Sequence, residues 1–256
     1  MAPSADFMRT AEKRLRALLL ELRPQLLAGH GSIEHQLKDD KSVVTAMDLM
    51  VEQRLREVCH ELDPRVGFGG EETGVDLEQS TFWLADPIDG TEAFIRGLPF
   101  STNMITLIHN GQPIMSIIYN FFLDEFFVAI KGEGATCNGH PIHVSDRPLK
   151  QSFVVLNGFH QLNVPLRPQV SGIPKMHASG YELSCVAKGA LDGSIVGGTK
   201  GAWDHAPGAL LIREAGGRVE NLGSNTYDYR NFRYVAANPV IFDELKAIAE
   251  EADKHA

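Results

Sequence analysis

FWLADPIDGTEAFIRGLPF, residues 82–100, is the stretch of this chain that decides its fold. Four apolar residues lead into two aspartates, Asp86 and Asp89, which stand three positions apart around a proline. The apolar run predicts a buried strand, and the residues after Gly90 predict the start of a helix. Two carboxylates at a strand end, facing a helix N-terminus, form a site that can hold a hard cation beside a phosphate.

Two further acidic segments flank this one in the sequence. Gly70-Glu71-Glu72 follows a predicted strand over 66–69, and Asp204 begins a predicted helix over about 204–215. Taken singly, these segments also fit a solvated acidic turn and an ordinary helix cap, and Asp89 also fits the cap of the helix that follows it. Because each places a carboxylate at a strand end or a helix start, the three together predict one convergent acidic site.

The composition limits the classes of function. The chain has 256 residues, 43% of them hydrophobic, which is enough for one large core or two modest ones. A net charge of -9 argues against sequence-independent nucleic-acid binding through a basic face. An acidic site in an acidic protein binds an anionic substrate only if metal ions invert the local charge. The three cysteines are far apart and include no CxxC pair, so they fit a reducing compartment and predict neither disulfides nor a zinc site.

The N-terminal segment 5–27 carries leucines at helical spacing, with arginines and a glutamate between them. This pattern predicts an amphipathic helix packed on a core, and a helix on a membrane surface is the alternative interpretation. The segment lacks an uninterrupted apolar run, and we find no targeting or membrane-spanning signal in the sequence. We therefore expect a cytoplasmic protein with no membrane partner and no nucleic-acid partner.

The rest of the chain alternates helical and strand patterns, which predicts an α/β fold. A helix is predicted over about 46–62, and an antiparallel meander over 102–142. Beyond Pro148 the predicted elements are a strand over 152–157, a helix over 180–189, a strand over 194–196, a strand over 234–237 and a charged terminal helix. No repeat or linker separates them. We expect one domain over 1–256, whose halves, about 1–148 and about 149–256, pack as a unit.

The chain resembles the inositol monophosphatase family of magnesium-dependent, lithium-sensitive phosphatases. The resemblance rests on the three acidic segments in their order and spacing, and on VVTAMD (43–48), GEGA (132–135) with Asn138-Gly139, and VAKGALD (186–192). It implies a layered αβαβα sandwich of the inositol monophosphatase/fructose-1,6-bisphosphatase type. It also implies a homodimer and the hydrolysis of a small phosphate monoester by in-line attack of metal-activated water.

The same resemblance assigns roles to individual residues. Two or three Mg²⁺ ions would be held by five groups: the side chains of Glu71, Asp86, Asp89 and Asp204, and the carbonyl of Ile88. The catalytic residues would be Glu71, Asp48 and Thr91, of which the last two orient the attacking water. The substrate phosphate would contact Asp89, Gly90, Thr91 and Asp204. Glu72 would lie near the metals, and the segment 38–40 matches a family loop that helps to hold one of them.

Departures from the family pattern bear on the substrate. Ala93 stands where DGTxNF has asparagine, and the segment 194–202 lacks the glutamate that inositol monophosphatases place ahead of the WD pair to bind sugar hydroxyls. Lys200 in that segment faces either a charged substrate or solvent, and His205 is expected to point away along its helix. A polyol or sugar phosphate, histidinol phosphate and the 3′-phosphate of an adenosine bisphosphate, as in a 3′(2′),5′-bisphosphate nucleotidase, all stay open. A regulatory interaction protein on this fold is the alternative of a different class.

Overall fold

The computed structural model describes residues 3–31, 35–37, 43–74, 79–198 and 201–254. These residues form α1 (Ala5–Gly29), α2 (Ala46–Leu62), α3 (Thr91–Ile95), α4 (Asn163–Leu166), α5 (Ser179–Ala187), α6 (Ala206–Glu214) and α7 (Phe242–Asp253). The strands are β1 (His35–Leu37), β2 (Val43–Thr45), β3 (Gly67–Gly70), β4 (Thr81–Asp89), β5 (Thr102–His109), β6 (Gln112–Asn120), β7 (Glu125–Ile130), β8 (Gly134–Cys137), β9 (His140–Pro141), β10 (Val154–Asn157), β11 (Gly193–Gly197), β12 (Arg218–Asn221) and β13 (Arg233–Ala237).

A seven-stranded sheet carries the decisive stretch of sequence. Its order is β3-β4-β5-β6-β7-β8-β9, with β3 parallel to β4 and every later pair antiparallel. In β4, Phe82 and Leu84 face one apolar cluster, and Trp83 and Ala85 face another. Because both faces of the strand are buried, its sequence is continuously apolar and does not alternate with polar residues. The strand therefore delivers its aspartates from the interior of the sheet.

The second sheet has the order β10-β11-β13-β12, in which β10 and β11 are parallel and the remaining pairs are antiparallel. Helices α5 and α6 contribute to the apolar cluster between the two sheets. Helices α1 and α2 cover the other face of the large sheet, and α7 covers the other face of the small sheet. This order of layers confirms the predicted αβαβα sandwich and the α/β class.

Most of the predicted elements are present. Helix α2 has the predicted bounds, the leucines of α1 that face the sheet are buried, and the antiparallel meander is formed. The sequence analysis did not predict β12, whose RVEN sequence has a single apolar residue. This strand is held by antiparallel pairing with β13 rather than by its own pattern. One apolar cluster combines residues from both halves of the chain, and the single domain stays a prediction.

All three cysteines are free thiols. Within the described ranges, every helix is too short or too polar to cross a lipid bilayer.

Candidate metal centre and active site

Three aspartates converge at the end of β4. Asp86 and Asp89 lie in that strand, and Asp204 ends a short 3-10 turn that immediately precedes α6. One carboxylate oxygen of each lies within 4.8 Å of the others, and all three residues are buried. No other group of three or more His, Cys, Asp or Glu in the described part of the chain is arranged in this way. Three buried carboxylates repel one another unless a cation or protons compensate their charge.

The Asp89 carboxylate is held by the first turn of α5. Its Oδ1 accepts hydrogen bonds from the Ser179 backbone N–H at 3.0 Å and the Ser179 hydroxyl at 2.8 Å. Its Oδ2 accepts from the Gly180 N–H at 2.8 Å and the Thr102 hydroxyl at 3.1 Å. Backbone N–H groups at a helix start are the donors that most favour an anion. Asp89 therefore stabilises α5, a helix about 90 residues away in sequence, and does not cap the helix that follows it.

Asp204 is held by its own turn and by the same serine. Its Oδ2 accepts from the Gly201 N–H at 2.9 Å, and its Oδ1 lies 3.3 Å from the Ser179 hydroxyl. The interpretation of Asp204 as the cap of the helix that follows was wrong, because the N-cap of α6 is His205, whereas the Asp204 carboxylate does converge with Asp86 and Asp89. Ser179 thus links two of the three aspartates, although the predicted helix began one residue later and omitted it.

Gly90 is the residue that turns the chain from β4 into α3. It has a left-handed backbone conformation with φ of 77°, which glycine adopts without strain. A Cβ atom there would lie 2.8 Å from both the Cβ of Ala178 and the carbonyl oxygen of His177. The family resemblance places this glycine in contact with the substrate phosphate. The turn and the close approach of the segment before α5 are two further reasons for it.

Asp48 and Thr91 meet beside the aspartates. Asp48 forms a capping box with Thr45 at the start of α2, in which its Oδ2 accepts from the Thr45 N–H at 2.8 Å and hydroxyl at 2.6 Å. The Thr91 hydroxyl lies 3.3 Å from the Asp48 Oδ1 and 3.0 Å from the Ile88 carbonyl oxygen. Burial raises the pKa of Asp48 to about 6, and the nearby charge of Glu72 acts in the same direction. The structure thus brings together a pair that only the family resemblance had connected.

Glu71 lies next to Asp86 along the sheet. Its backbone N–H donates to the Ala85 carbonyl at 3.2 Å, so the chain leaving β3 runs beside the end of β4. Glu71 is not a member of the group of three aspartates, and its role as a metal ligand stays a prediction. The segment 38–40 and Lys200 lie outside the described residues.

Glu52 is a functional candidate that the sequence analysis missed. It lies one turn after Asp48 on α2, is fully buried, and accepts hydrogen bonds from the Glu72 N–H at 2.9 Å and from the Thr73 hydroxyl. A Cβ atom on Gly70 would collide with its carboxylate, so the strand end packs directly on it. Glu52 therefore positions the acidic loop that follows β3. Its i, i+4 spacing from Asp48 was the available signal, but a helical glutamate is far more often solvated.

We expect Glu52→Gln to lower the free energy of unfolding by about 1–2 kcal/mol, because one amide hydrogen of the glutamine would face a backbone N–H or hydroxyl donor. The measurement is urea unfolding of the metal-free protein. Glu57→Gln is the matched control, since Glu57 lies on the same helix with its side chain 50% exposed. Equal stabilities of the two variants would show that Glu52 does not hold the loop.

A cavity of about 350 Å³ adjoins the aspartates and is large enough for a small ligand. Its lining includes Ser179, which contacts Asp89 and Asp204, and His205, which follows Asp204 in the sequence. The His205 ring is buried, and its Nδ1 lies 3.1 Å from the Tyr234 hydroxyl. The buried Tyr234 of β13 holds this ring at the cavity wall, and its expected direction away from the aspartates stays a prediction.

The family model described as the inositol monophosphatase family matches residues 6–255. The chain belongs to the inositol monophosphatase family. An inositol-1-monophosphatase of Mesorhizobium japonicum is 33% identical over 82% of this chain and 84% of its own length. The Nus factor SuhB of Pasteurella multocida is 30% identical over 83% of this chain and 84% of its own length.

Solved structures of inositol monophosphatases share the fold. The crystal structure of an IMPase/NADP phosphatase complexed with Mg²⁺ and phosphate superposes with a TM-score of 0.83. It is 20% identical and covers 94% of this chain and 95% of its own. The family assignment supports a phosphatase of this superfamily, and the buried aspartates fit a metal site.

Proposed function

We propose that the protein is a Mg²⁺-dependent phosphatase that hydrolyses a small phosphate monoester, such as a polyol or sugar phosphate. The observation that carries the proposal is the convergence of Asp86, Asp89 and Asp204 beside a cavity of small-ligand size. Oxygen ligands are those that Mg²⁺ prefers, and the ion bridges carboxylates to phosphates in many enzymes. The family membership and the Mg²⁺ and phosphate bound by the solved relative support the same chemistry.

The residues present fit such a metal site. The ligands would be the carboxylates of Glu71, Asp86, Asp89 and Asp204, with the carbonyl oxygen of Ile88, and the resemblance suggests two or three ions. When bound, magnesium supplies positive charge that offsets the phosphate and favours deprotonation of water. Without such charge, the buried carboxylates would repel the dianionic phosphate of the substrate.

The remaining roles belong to groups of the chain itself. A Thr91 hydroxyl that donates to Asp48 keeps its oxygen lone pairs for a water proton, so the pair can orient the attacking water. In this proposal the hydroxyl donates to the ionised Asp48 and not to the Ile88 carbonyl, whose oxygen would bind the metal. The backbone N–H groups of Gly90 and Thr91, at the start of α3, would contact the phosphate. No phosphorylated enzyme intermediate is part of the proposal.

A regulatory interaction protein is the second candidate, because one of the relatives carries the name Nus factor SuhB. The chain retains the full set of acidic residues that metal-dependent hydrolysis requires, which favours the enzyme. The homodimer and the sensitivity to lithium stay predictions from the resemblance.

A panel of phosphate esters tests the proposal. Phosphate release is measured with Mg²⁺, and again with a chelator, for inositol 1-phosphate, histidinol phosphate and adenosine 3′,5′-bisphosphate. We expect Mg²⁺-dependent release that is fastest with inositol 1-phosphate, and its loss in Asp86→Asn. Preference for either of the other esters would move the assignment to that branch of the superfamily. Absence of hydrolysis for all three would overturn the enzyme proposal and favour the regulatory one.

A further inference from the structure

Asp89 is a proposed metal ligand whose carboxylate already accepts several hydrogen bonds from the protein. Its Oδ1 accepts two from Ser179, and its Oδ2 accepts one from Gly180 and one from Thr102. A carboxylate has about four acceptor positions, two on each oxygen, so these donors occupy all of them. All four residues are buried, so water has little access to these bonds. One of the donors must therefore give way when this carboxylate ligates a cation.

The two backbone donors cannot leave Asp89 without moving α5. They are the N–H groups of Ser179 and Gly180 in the first turn of that helix. A Cβ atom on Gly180 would collide with the Met104 sulfur and lie 3.1 Å from the Asp89 Oδ2. The start of α5 is therefore packed directly on β4 and β5, and this packing holds its N–H groups in place.

The Ser179 hydroxyl has a second carboxylate within reach. It lies 2.8 Å from the Asp89 Oδ1 and 3.3 Å from the Asp204 Oδ1. A hydroxyl carries one hydrogen, which rotates about the C–O bond, so it donates fully to one of these oxygens at a time. Turning the hydrogen from Asp89 to Asp204 releases an acceptor position on Asp89 and leaves both backbone donors where they are.

We infer that Ser179 is a positioning residue whose hydroxyl compensates the charge of the candidate metal centre and thereby lowers its affinity for the cation. This inference rests on the metal site of the proposed function. While the hydroxyl donates to Asp89, it offsets part of the repulsion among the three buried aspartates. On ligation, Asp89 exchanges this hydrogen bond for the cation, and the hydroxyl retains only the longer contact with Asp204. The hydroxyl thus stabilises the protein without metal, and its removal should tighten metal binding.

Binding of Mn²⁺ to the protein without substrate tests the inference. Mn²⁺ takes the same oxygen ligands as Mg²⁺, and electron paramagnetic resonance measures the concentration of the free ion. We expect Ser179→Ala to lower the Mn²⁺ dissociation constant about 5-fold, the factor to which one hydrogen bond of about 1 kcal/mol corresponds. Ser179→Thr retains a hydroxyl and is expected to restore the dissociation constant of the unsubstituted protein.

Ser184→Ala is the matched control. Ser184 lies on the same helix and is fully buried, but its hydroxyl donates to the Gly180 carbonyl and not to an aspartate. This variant should leave the Mn²⁺ dissociation constant unchanged. Urea unfolding gives a second readout. With a chelator present, the unfolding midpoint of Ser179→Ala should fall, and saturating Mn²⁺ should recover part of the loss. For Ser184→Ala, any fall should be the same with and without the ion.

Three results would overturn the inference. The first is an unchanged dissociation constant for Ser179→Ala. The second is weaker Mn²⁺ binding, which would show that the hydroxyl holds Asp89 and Asp204 in place for the cation. The third is an equal decrease in Ser184→Ala, which would mean that loosening of α5, and not the loss of a donor to Asp89, changes the affinity.

The same measurements separate this inference from the function on which it rests. Neither readout requires a substrate, so an absence of ester hydrolysis with Mg²⁺ would contradict the phosphatase proposal and leave this test intact. Failure of the unsubstituted protein to bind Mn²⁺ would overturn the metal site and the inference with it.

Discussion

Asp89→Asn is expected to reduce kcat/KM at least about 10³-fold, because it removes one charge from the group that would hold the metal. The substitution keeps the size of the side chain and changes only its charge and its donors. Losing a ligand carboxylate weakens both metal binding and the positive charge that the phosphate requires. The measurement is steady-state hydrolysis of the best substrate over a range of Mg²⁺ concentrations, since weaker metal binding alone is partly restored by excess metal.

The structure adds a cost to this substitution that the sequence did not indicate. The hydrogen bonds described above all reach Asp89 from protein donors, two of them backbone N–H groups at the start of α5. An asparagine would direct its amide hydrogens towards at least one of these donors. We therefore expect the free energy of unfolding to fall by about 1–3 kcal/mol while the fold is retained.

Asp243→Asn is the control for Asp89→Asn, because Asp243 lies in the first turn of α7 with a side chain that is 79% exposed. It removes the same charge from the start of another helix without touching the site. Activity of Asp89→Asn within tenfold of the unsubstituted protein would contradict the assignment of Asp89 as a metal ligand. A loss of activity without any loss of stability would instead show that the contact with α5 is energetically neutral.

The acidic motifs could be predicted from the sequence because they are contiguous and locally ordered. Asp86, Asp89 and Gly90 follow one another along a strand and its turn, so their proximity does not depend on the rest of the fold. Asp204 could be added only because strand ends and helix starts meet at one edge of a layered α/β fold. Packing of α6 against the large sheet brings Asp204 close to the other two aspartates, although it is far from them in the sequence.

The supporting residues could not be predicted in this way. Glu52 and Ser179 are common residue types in helices, and their burial depends on which surface each helix face contacts. For Ser179 that surface includes the end of β4, where Asp89 lies 90 residues earlier in the chain. The short strand β12 was missed for the same physical reason, because its partner β13 and not its own pattern determines its conformation.

Asp48→Asn is expected to lower hydrolysis by about 10²-fold or more and, in the metal-free protein, to raise stability at alkaline pH. The ionised carboxylate is one of two acceptors near the Thr91 hydroxyl, at 3.3 Å against 3.0 Å for the Ile88 carbonyl, and asparagine is a weaker acceptor than the carboxylate. For the same reason we expect the activity of the unsubstituted protein to fall as pH drops through about 6, the pKa to which burial raises Asp48.

A Thr91→Ala, Asp48→Asn double variant should lose little more activity than either single variant, because the two groups act together.

The gain in stability follows from the direction of the same pKa shift. A carboxyl whose folded pKa lies about two units above its unfolded value disfavours the folded state by up to about 3 kcal/mol once both states are ionised. Below the unfolded pKa, near 4, the Asp48 carboxyl is protonated in both states and does not disfavour folding. The penalty develops as the pH rises from there and is complete above about 6. Asparagine keeps an acceptor for Thr45 but carries no charge, so we expect Asp48→Asn to gain about 1–2 kcal/mol at pH 8 and nothing near pH 4.

Chemical unfolding with a chelator present, at pH 4.5, 6 and 8, measures this difference. Asp63→Asn is the control of opposite sign, because hydrogen bonds from the exposed Arg65 lower the pKa of Asp63 to about 2. Its removal should give no gain at pH 8. A gain for Asp48→Asn that is the same at every pH would mean that packing and not charge is responsible. Lost activity of Asp48→Asn without any gain in stability would show that other groups compensate the charge of the buried Asp48 carboxylate in the folded protein. The ionisation of Asp48 would then not be what limits hydrolysis at acidic pH.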